Sequence, residues 1–472
     1  MSVAERFSKI TETQAGESQS AAQYWVLALT SIASLMVALD SLVISTALNE
    51  IGRDFAASIE QLEWTVNAYV LTFAVLLMPA SALGDRFGRR RIFIAGLALF
   101  TLASAACALA PTIGLLIWAR AVQGAGAAAL MPLALAQISA AFAPERRGWA
   151  LGIYSSVTAL STVIGPVVGG AVTYGLAWPW VFWLNLPFGL VAIGASLLRL
   201  PETFGPKSAI DFGGVSLITG GAFGLVWGLV RGNSVGWTSG EIISALGLSA
   251  LLIIAFVAWE LRRAQPMIPM RLFAIRAFAA GNATMFLLPA ALMSAIFFMA
   301  QFQQVALEQD ALLAGLHLLP WGVALVLAAP SASALAERFG ATTVIVLGLL
   351  AHGVGLVWLA VIADPDMVYA AMIAPMILAG AGFAVAAPLA QKAVVNAVAP
   401  ADIGKASGTL SMLRQLGAAF GVALAVAAFA HFGSRASPHA FTDGFVAANG
   451  VAAMLSFAGV FAGLYLPPKK SA

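Results

Sequence analysis

The sequence predicts an all-α polytopic membrane protein built from two six-helix halves, with two further helices inserted between them. Hydrophobic residues make up 61% of the 472-residue chain and charged residues only 10%, whereas about a quarter of a soluble protein is charged. The string ASALGDRFG at residues 80–88 returns as ASALAERFG at residues 332–340, identical at seven of nine positions. The chain is therefore an internal duplication, and each copy follows a long apolar run.

The apolar runs give the membrane spans in order. A bilayer core accommodates about 20 apolar residues per helix, and fourteen runs fit that length. Their predicted limits are 24–48, 62–83, 92–110, 113–135, 149–173, 179–199, 210–231, 239–259, 277–301, 312–335, 342–362, 367–391, 405–431 and 444–466. The polar first 23 residues lack the apolar core and cleavage site of a secretory signal, so the first span is expected to be an uncleaved anchor.

Basic residues fix the predicted orientation. If both termini are cytoplasmic, nineteen of the 24 lysines and arginines lie in cytoplasmic segments and three, Arg53, Arg231 and Arg435, lie outside. The other two, Arg120 and Arg414, lie within spans. Because lysine and arginine are retained on the cytoplasmic side, we predict cytoplasmic termini.

A second repeat divides the chain. GAG at 124–126 and PLA at 132–134 recur at 380–382 and 388–390, which leaves two helices outside either repeat. The predicted organisation is a cytoplasmic segment (1–23), a six-helix half (24–200), an inserted two-helix linker (201–276), a second six-helix half (277–466) and a cytoplasmic tail (467–472). Both halves have an even number of spans and so share one orientation, a parallel repeat found in secondary transporters.

Five motifs resemble the major facilitator superfamily, specifically its fourteen-span drug:proton antiporter branch. They are LGDRFGRRR at 83–91 between spans two and three, RAVQGAG at 120–126 in span four, GPVVGG at 165–170 in span five, LDSLVISTAL at 39–48 in span one and RQLG at 414–417 in span thirteen. The resemblance implies a major facilitator fold and proton-coupled drug export. Ser81, Ser161 and Asn49 depart from the usual Gly, Gly and Pro, and none of these changes removes a charged group.

Asp40 is the only acidic residue well inside the predicted spans of the first half. An ionised carboxylate at such depth costs about 2.5 to 3.5 kcal/mol on insertion scales. At about 1.5 Å per residue, Asp40 lies about 12 Å from the outer end of span one, and Arg120 lies about 10 Å down span four. We predict that Asp40 binds and releases a proton and that Arg120 sets its affinity; a permanent structural ion pair is the alternative.

The 83–91 loop is predicted to be a cytoplasmic gate. Asp85 can cap a neighbouring helix N-terminus and pair with arginines, which would give a latch that breaks when the halves move. A basic turn that only fixes topology is the alternative, but topology alone requires neither the acid nor the glycines. The predicted gate residues of the loop and its second-half copy are Gly84, Asp85, Arg86, Gly88, Arg89, Arg90, Glu337 and Arg338.

Span five carries the small residues Gly165, Pro166, Gly169 and Gly170. They remove side chains and one backbone donor from one helix face, which permits a bend and close approach to a helix of the other half. Such packing also occurs in membrane bundles without this function.

Aromatic and amide side chains on spans two, nine and ten are candidates for substrate contact, although aromatic residues near span ends more often form an interfacial belt. Gln123 and Arg414, from the motifs of spans four and thirteen, are added to these candidates. The predicted set is Trp64, Asn67, Tyr69, Gln123, Phe298, Met299, Gln303, His317, Trp321 and Arg414. Since the second-half spans hold no deep acid, we expect neutral, zwitterionic or monocationic substrates rather than divalent cations.

The sequence shows no metal-ligand spacing, nucleophile motif or phosphate-binding loop, and its one cysteine, Cys107, lies in an apolar run. We therefore predict no enzyme, cofactor, metal or nucleic-acid partner. The predicted function is a monomeric multi-pass exporter of the cell (cytoplasmic/inner) membrane that exchanges amphipathic drug-like molecules for protons by rocker-switch alternating access. Its partners would be lipophilic small molecules, protons and the lipid bilayer. A narrow exporter of a metabolite or self-made antibiotic and a non-transporting membrane sensor are the alternatives.

Overall fold

The computed structural model of the protein describes residues 3–205, 211–264, 266–399 and 402–467. These residues form helices and no strand. The helices are α1 (Val3–Asp54), α2 (Ile59–Phe87), α3 (Arg89–Ala108), α4 (Ile113–Ala141), α5 (Pro144–Gly175), α6 (Trp180–Trp183), α7 (Asn185–Arg199), α8 (Phe212–Val235), α9 (Gly240–Arg262), α10 (Arg276–Val305), α11 (Ala311–His317), α12 (Leu319–Ala328), α13 (Ser331–Phe339), α14 (Ala341–Ile362), α15 (Ala370–Asn396), α16 (Ile403–Phe432) and α17 (Pro438–Leu464), with a 3-10 helix at Met270–Ala274.

Within the described part of the chain, fourteen helical stretches are long and apolar enough to cross a membrane, in the order that the sequence predicts. The all-α, fourteen-span fold class is thus confirmed. Several ends differ; for example, α1 begins at Val3, ahead of the predicted start at 24, and the last span begins at Pro438 rather than 444. The earlier start of α17 follows from its cap, since the Ser437 hydroxyl accepts a hydrogen bond from the Ala440 N–H. Of the predicted tail, only residue 467 lies within the described residues.

Two predicted spans are not continuous helices. The tenth, predicted as one helix over 312–335, is divided into α11, α12 and α13, and the sixth is divided into α6 and α7. Each break lies close to a proline, Pro320, Pro330 or Pro187. Proline lacks an N–H and clashes with the carbonyl four residues earlier, which explains why the helices of these two spans are divided although both stretches are long and apolar enough to cross a membrane.

The helices pack as two bundles with an added pair. Helices α1–α7 pack on one another, as do α10–α17, and the bundles meet where α2 packs on α16, α5 on α11 and α12, and α1 on α10. Helix α8 contacts both α2 and α16, whereas α9 packs on α8 and on the 3-10 helix. The inserted pair therefore covers one seam between the bundles, with α9 farthest out.

Asp211 anchors the start of the inserted pair as the N-cap of α8, where it accepts a hydrogen bond from the Gly214 N–H at 2.9 Å. Burial raises the pKa of its carboxyl, but the Gly214 N–H, the Trp259 indole and the Arg263 guanidinium outweigh burial and lower the pKa below its ordinary value. Asp211 is thus held ionised as a helix cap, which is a structural role.

Hydrogen bonds between the bundles are confined to one end. Gln304 Nε2 donates to Thr46 O at 3.0 Å, a terminal guanidinium nitrogen of Arg435 donates to Asn49 Oδ1 at 2.6 Å, and Asn67 donates to a backbone oxygen of α16 at 3.3 Å. No other hydrogen bond joins the two bundles within the described ranges. All three lie in the halves of the spans predicted to face outward, and we call this region the outer seal.

Candidate functional site

A buried carboxylate lies in the interior of the first bundle. Asp40 on α1 is 4% exposed. Its Oδ2 accepts a hydrogen bond from Arg120 Nη1 at 2.5 Å, and its Oδ1 accepts from Gln123 Nε2 at 2.8 Å and from Asn185 Nδ2 at 2.9 Å. Helices α1, α4 and α7 thus supply the acid and its three hydrogen-bond donors. Asp40 and Arg120, which the sequence placed at matching depth, are in direct contact.

Arg120 is fully buried and is held from several sides. Its Nε donates to the Thr65 carbonyl at 2.9 Å, and Nη1 also donates to Gln123 Oε1 at 2.6 Å. The guanidinium carbon lies 4.2 Å from the ring centroid of Tyr69 and 5.7 Å from that of Phe182. Cation–π attraction of this kind is strongest where water is excluded. Because residues three apart share a helix face, α4 presents both Arg120 and Gln123 to the acid.

A hydroxyl and an amide that the sequence analysis did not select complete the network. Ser104 Oγ accepts from Gln123 Nε2 at 2.8 Å and from Asn185 Nδ2 at 3.2 Å, and itself donates to the Phe100 carbonyl at 2.9 Å. These bonds orient both amide groups toward Asp40. Asn185 could have been recognised as the only amide side chain in span six. We call Asp40, Arg120, Gln123, Asn185 and Ser104 the carboxylate network.

The predicted cytoplasmic gate is bound to the segment that follows α7. Arg89 Nε donates to Asp85 Oδ1 at 2.8 Å across one helical turn's spacing. The Arg89 N–H donates to the Thr203 carbonyl at 2.8 Å, and the Gly205 N–H donates to the Asp85 carbonyl at 3.1 Å. The expected pairing of Asp85 with an arginine is present. Among the described residues its expected capping of a neighbouring helix N-terminus is not seen, and Gly205 of the segment after α7 lies against the Asp85 carboxylate instead.

Glu202 extends this attachment. Its carboxylate accepts from the Arg90 N–H at 2.9 Å and lies 3.5 Å from the Arg91 guanidinium. Gly88, which joins α2 to α3 with φ of 110°, has Glu202 2.7 Å from the place that a Cβ would occupy. Only glycine adopts this φ without strain, so the tight turn and the docked carboxylate both require it.

The remaining loop residues serve packing and surface contacts. A Cβ at Gly84 would lie 2.3 Å from the Leu133 side chain, so this glycine lets α2 approach α4 closely. The Arg86 guanidinium lies 5.4 Å from the centroid of the Phe87 ring. These contacts show how the helix end is packed, and a gating role for them stays a prediction.

The second-half copy reproduces the turn without the attachment. Gly340 has φ of 85°, matching the positive φ of Gly88. Arg338 lies 5.1 Å from the Phe339 ring centroid, and both Glu337 and Arg338 are exposed. Within the described part of the chain neither of them forms an ion pair. The two copies share a backbone shape but differ in their charged contacts.

The small residues of α5 face α1 on one side. A Cβ at Gly165 would lie 2.9 Å from Leu42, and one at Gly169 would lie 2.5 Å from the Val43 carbonyl. Such distances leave no room for a larger residue, so the helices of the first bundle approach backbone to backbone here.

The same stretch of α5 meets the second bundle on its other side. A Cβ at Gly170 would lie 2.2 Å from the Ala311 carbonyl, and one at Gly315 would lie 2.2 Å from the Pro166 carbonyl. Helices α5 and α11 therefore touch through reciprocal glycines. This contact lies at the outer seal and is the close approach to the other half that the sequence predicted.

The predicted substrate-contacting residues are dispersed. Gln123 belongs to the carboxylate network, and the Tyr69 ring lies against the Arg120 guanidinium of that network. Trp64 packs its indole on Phe223 of the inserted helix α8, with ring centroids 5.5 Å apart. Asn67 lies at the seam between α2 and α16. A substrate role for any of them stays a prediction.

Residues of the second bundle are similarly spread. Phe298 is fully buried and stacks on Phe429 with centroids 4.9 Å apart, and Met299 is fully buried beside it. Arg414, about midway along α16, is half-buried and has no hydrogen-bond or ion-pair partner among the described residues. Among the described residues, its guanidinium is therefore a charge on α16 that no acidic side chain pairs with.

A third group lies near the outer end of the second bundle. His317 Nδ1 lies 3.0 Å from Gln303 Oε1, and its ring stacks on Tyr369 at 3.7 Å. Trp321 is 2% exposed and meets His352 edge to face at 6.2 Å. Gln303 and His317 thus form a pair, separate from Trp321.

A second buried acid of the first bundle lies near the start of α2, whereas Asp40 lies well inside α1. Glu63 is fully buried. The sequence placed it at the end of a span beginning at 62, but α2 begins at Ile59 because Ser58 and Gln61 form a capping box. The capping-box pattern, visible in the sequence, could have moved the helix start outward.

Comparison with known families identifies the fold. The family model described as Major Facilitator Superfamily matches residues 30–307 and 272–472. This chain belongs to the major facilitator superfamily. Proteins of this superfamily are transporters, so the predictions of a non-enzyme and of a multi-pass cell-membrane protein are confirmed.

Relatives of this major facilitator protein are resistance and export proteins. It is 32% identical over 399 residues to the tetracenomycin C resistance and export protein of Streptomyces glaucescens, covering 84% of this chain and 73% of the relative. It is 33% identical over 461 residues to the puromycin resistance protein of Streptomyces alboniger, covering 95% and 90%. A multidrug resistance protein of Mycobacterium tuberculosis is 33% identical over 405 residues, covering 85% and 75%.

Solved structures agree in fold. A D-xylose–proton symporter superposes with a TM-score of 0.67 at 15% identity, covering 95% of this chain and 98% of that one. A peptide transporter in complex with sulfate gives a TM-score of 0.68 at 14% identity, covering 93% and 95%. At such identity the likeness concerns the fold alone.

Proposed function

We propose that this protein exports lipophilic drug-like molecules across the cell membrane in exchange for protons. The observation that carries the proposal is the carboxylate network: an acid buried in a membrane-spanning bundle, held by one cation and two amides. Ionisable residues at this depth are retained for function as a rule. The resistance and export proteins among its relatives support drug or antibiotic efflux as the transported class.

Protonation of Asp40 would change three hydrogen bonds at once. A neutral carboxyl no longer balances the Arg120 guanidinium, and an uncompensated buried charge is costly. Helices α1, α4 and α7 must then adjust to satisfy or hydrate the arginine. A proton arriving at Asp40 is in this way converted into helix movement.

Helix α1 can carry that movement to the outer seal. Thr46 and Asn49 follow Asp40 on the same helix, and both accept hydrogen bonds from the second bundle. The reciprocal glycines of α5 and α11 lie at the same end. We therefore propose rocker-switch alternating access, in which the state described here is sealed outside, the termini are cytoplasmic, and the domains are those predicted from the repeats.

The 83–91 loop fits this cycle as a contact between the bundles that forms when the inner side closes. In the sealed-outside state Asp85 is paired with Arg89 within the first bundle, and Glu202, in the segment after α7, accepts a hydrogen bond from the Arg90 N–H. We propose that the loop exchanges some of these bonds for contacts with the second bundle when the inner side closes. Arg86 and the exposed Glu337 and Arg338 are free to take part.

A narrower exporter is the second candidate. Two relatives are named for single antibiotics, tetracenomycin C and puromycin, whereas a third is named for multidrug resistance. Identity to the three is nearly equal, so the relatives support both breadths. The substrate residues predicted from the sequence, and a monomeric state, are kept as part of the proposal.

The export proposal is tested by drug accumulation in a pump-deficient host that expresses the chain. We expect lower accumulation of puromycin, tetracenomycin C and the lipophilic monocation ethidium, and loss of the difference when a protonophore collapses the gradient. Reduced accumulation of a single compound would favour the narrow exporter. Unchanged accumulation of all three, with the protein present in the membrane, would contradict export of this class.

A further inference from the structure

Glu63 lies on α2 at the outer seal, where α2 packs on α16. The capping box at Ser58 sets the helix start one turn earlier and so places Glu63 within the helix. The side chain is fully buried. Its Oε1 accepts a hydrogen bond from Asn67 Nδ2, which also donates to the Ala419 carbonyl of the second bundle at 3.3 Å.

Among the residues that the structure describes, no cation balances this carboxyl. The helices packed against α2 are α1, α3, α4, α8 and α16, and no lysine, arginine or histidine nitrogen on them lies within 4.0 Å of Glu63 in the described ranges. Arg120 is committed to Asp40, Arg231 lies against Glu241, and Arg435 donates to Asn49. The titratable groups of these helices toward this end are Glu60 on α2 itself, Glu50, Arg53 and Asp54 on α1, Cys107 on α3, Arg120 on α4, Arg231 on α8, and Arg414 and His431 on α16.

The hydrogen-bonding pattern indicates which form of Glu63 fits the closed seal. Two atoms of the pair lack partners, Glu63 Oε2 and Asn67 Oδ1. Both are acceptors in a carboxylate–amide pair. An ionised carboxylate without a counterion is unfavourable in an apolar seam, whereas a proton on the carboxyl removes the charge and adds the one donor that the pair lacks.

We propose that Glu63 is a second proton-binding site, belonging to the outer seal, which holds a proton while α2 and α16 are closed and gives it up to outside water when they part. This deepens the proposed function and rests on its alternating access. On closing, the proton passes from outer water to Glu63 Oε2, and on opening it returns, so the site adds no net charge movement of its own. Its effect is to make the seal respond to external pH.

Proton binding at Glu63 and opening of the outer seal are linked with a definite sign. The sealed state binds one more proton than the open state, so raising the external pH favours opening, by up to about tenfold per pH unit for one group. A glutamine at position 63 keeps the shape but cannot ionise, and should abolish the dependence.

The experiment measures opening directly. In the Cys107→Ser background, Thr46→Cys places a reporter thiol at the outer seal, and a membrane-impermeant maleimide is added outside at pH values from about 6 to about 8. Rates are normalised to the unfolded protein, which removes the reagent's own pH dependence. We expect labelling to rise up to about tenfold per pH unit with Glu63 present and with Glu60→Gln, a matched control one turn earlier.

Variants at position 63 decide the outcome. Glu63→Gln should give labelling that does not change with pH, and Glu63→Asp, which can still ionise, should restore the dependence. The same pH dependence in Glu63→Gln as in the parent would overturn the inference. Because labelling requires no transport, that result would leave the export proposal standing, and loss of export alone would leave the labelling intact.

Discussion

At the scale of single residues, Arg120 explains how a carboxylate is accommodated inside the first bundle. It contacts a carbonyl, a carboxylate, an amide oxygen and an aromatic face at once. Lysine offers no planar set of donors that could do this. The residue therefore holds Asp40 in position and balances its charge, and its part in proton coupling stays a proposal.

Arg414 presents the opposite situation, a cation in the second bundle with no partner among the described residues. We predict that Arg414→Gln weakens binding of a lipophilic carboxylic acid but leaves binding of its methyl ester unchanged. A hydrogen bond to a charged group contributes about 1.5 to 3 kcal/mol, so the loss should be about ten- to a hundredfold for the acid. Ligand-binding titrations of the purified protein measure both compounds.

The ester serves as the internal control for folding. Equal weakening of acid and ester would show that Arg414 supports the structure of α16 and does not recognise substrate charge. Unchanged binding of both would place substrate away from this helix.

At the scale of the element, α5 joins the two bundles through glycine. It lies between α1 and α11, and at Gly165, Gly169 and Gly170 a Cβ would meet a neighbour at under 3.0 Å. Two neighbours are backbone carbonyls, which cannot rotate away as a side chain can. The outer seal therefore depends on the absence of a methyl group at defined positions.

We predict that Gly170→Ala shifts the protein toward the state that is open outside. A Cβ there would lie 2.2 Å from the Ala311 carbonyl, and overpacking of this kind costs about 1 to 3 kcal/mol. Labelling of a Thr46→Cys reporter from outside should accelerate by roughly one to two orders of magnitude. Gly152→Ala on the same helix is the control, because nothing lies within 4 Å of its Cβ.

If Gly170→Ala labelled no faster than Gly152→Ala, the contact between α5 and α11 would not limit opening. The seal would then depend on the hydrogen bonds of α1 and α2 instead.

At the scale of the whole molecule, the fold followed from the sequence further than the site did. Bilayer thickness and the rise of a helix fix span number and depth, which is why Asp40 and Arg120 were expected at one level and are in contact. Asn185 was not expected, because span six turns it inward only after the break between α6 and α7. The burial of Glu63 was not expected, because a cap, not hydropathy, sets the start of α2.

The divided tenth span shows the same limit of prediction from hydropathy. Hydropathy does not register where Pro320 interrupts hydrogen bonding, yet the resulting short α11 is what brings Gly315 against Pro166. Packing between bundles is decided by such local breaks, and a span prediction averages over them.

The most direct test of proton coupling through the carboxylate network is transport by Asp40→Asn in proteoliposomes with an imposed pH gradient. The amide keeps the shape of the side chain but cannot titrate, so we predict that substrate binding persists and gradient-driven uptake is lost, while Glu50→Gln on the same helix transports normally. Uptake by Asp40→Asn that still follows the pH gradient at the parent rate would contradict the account.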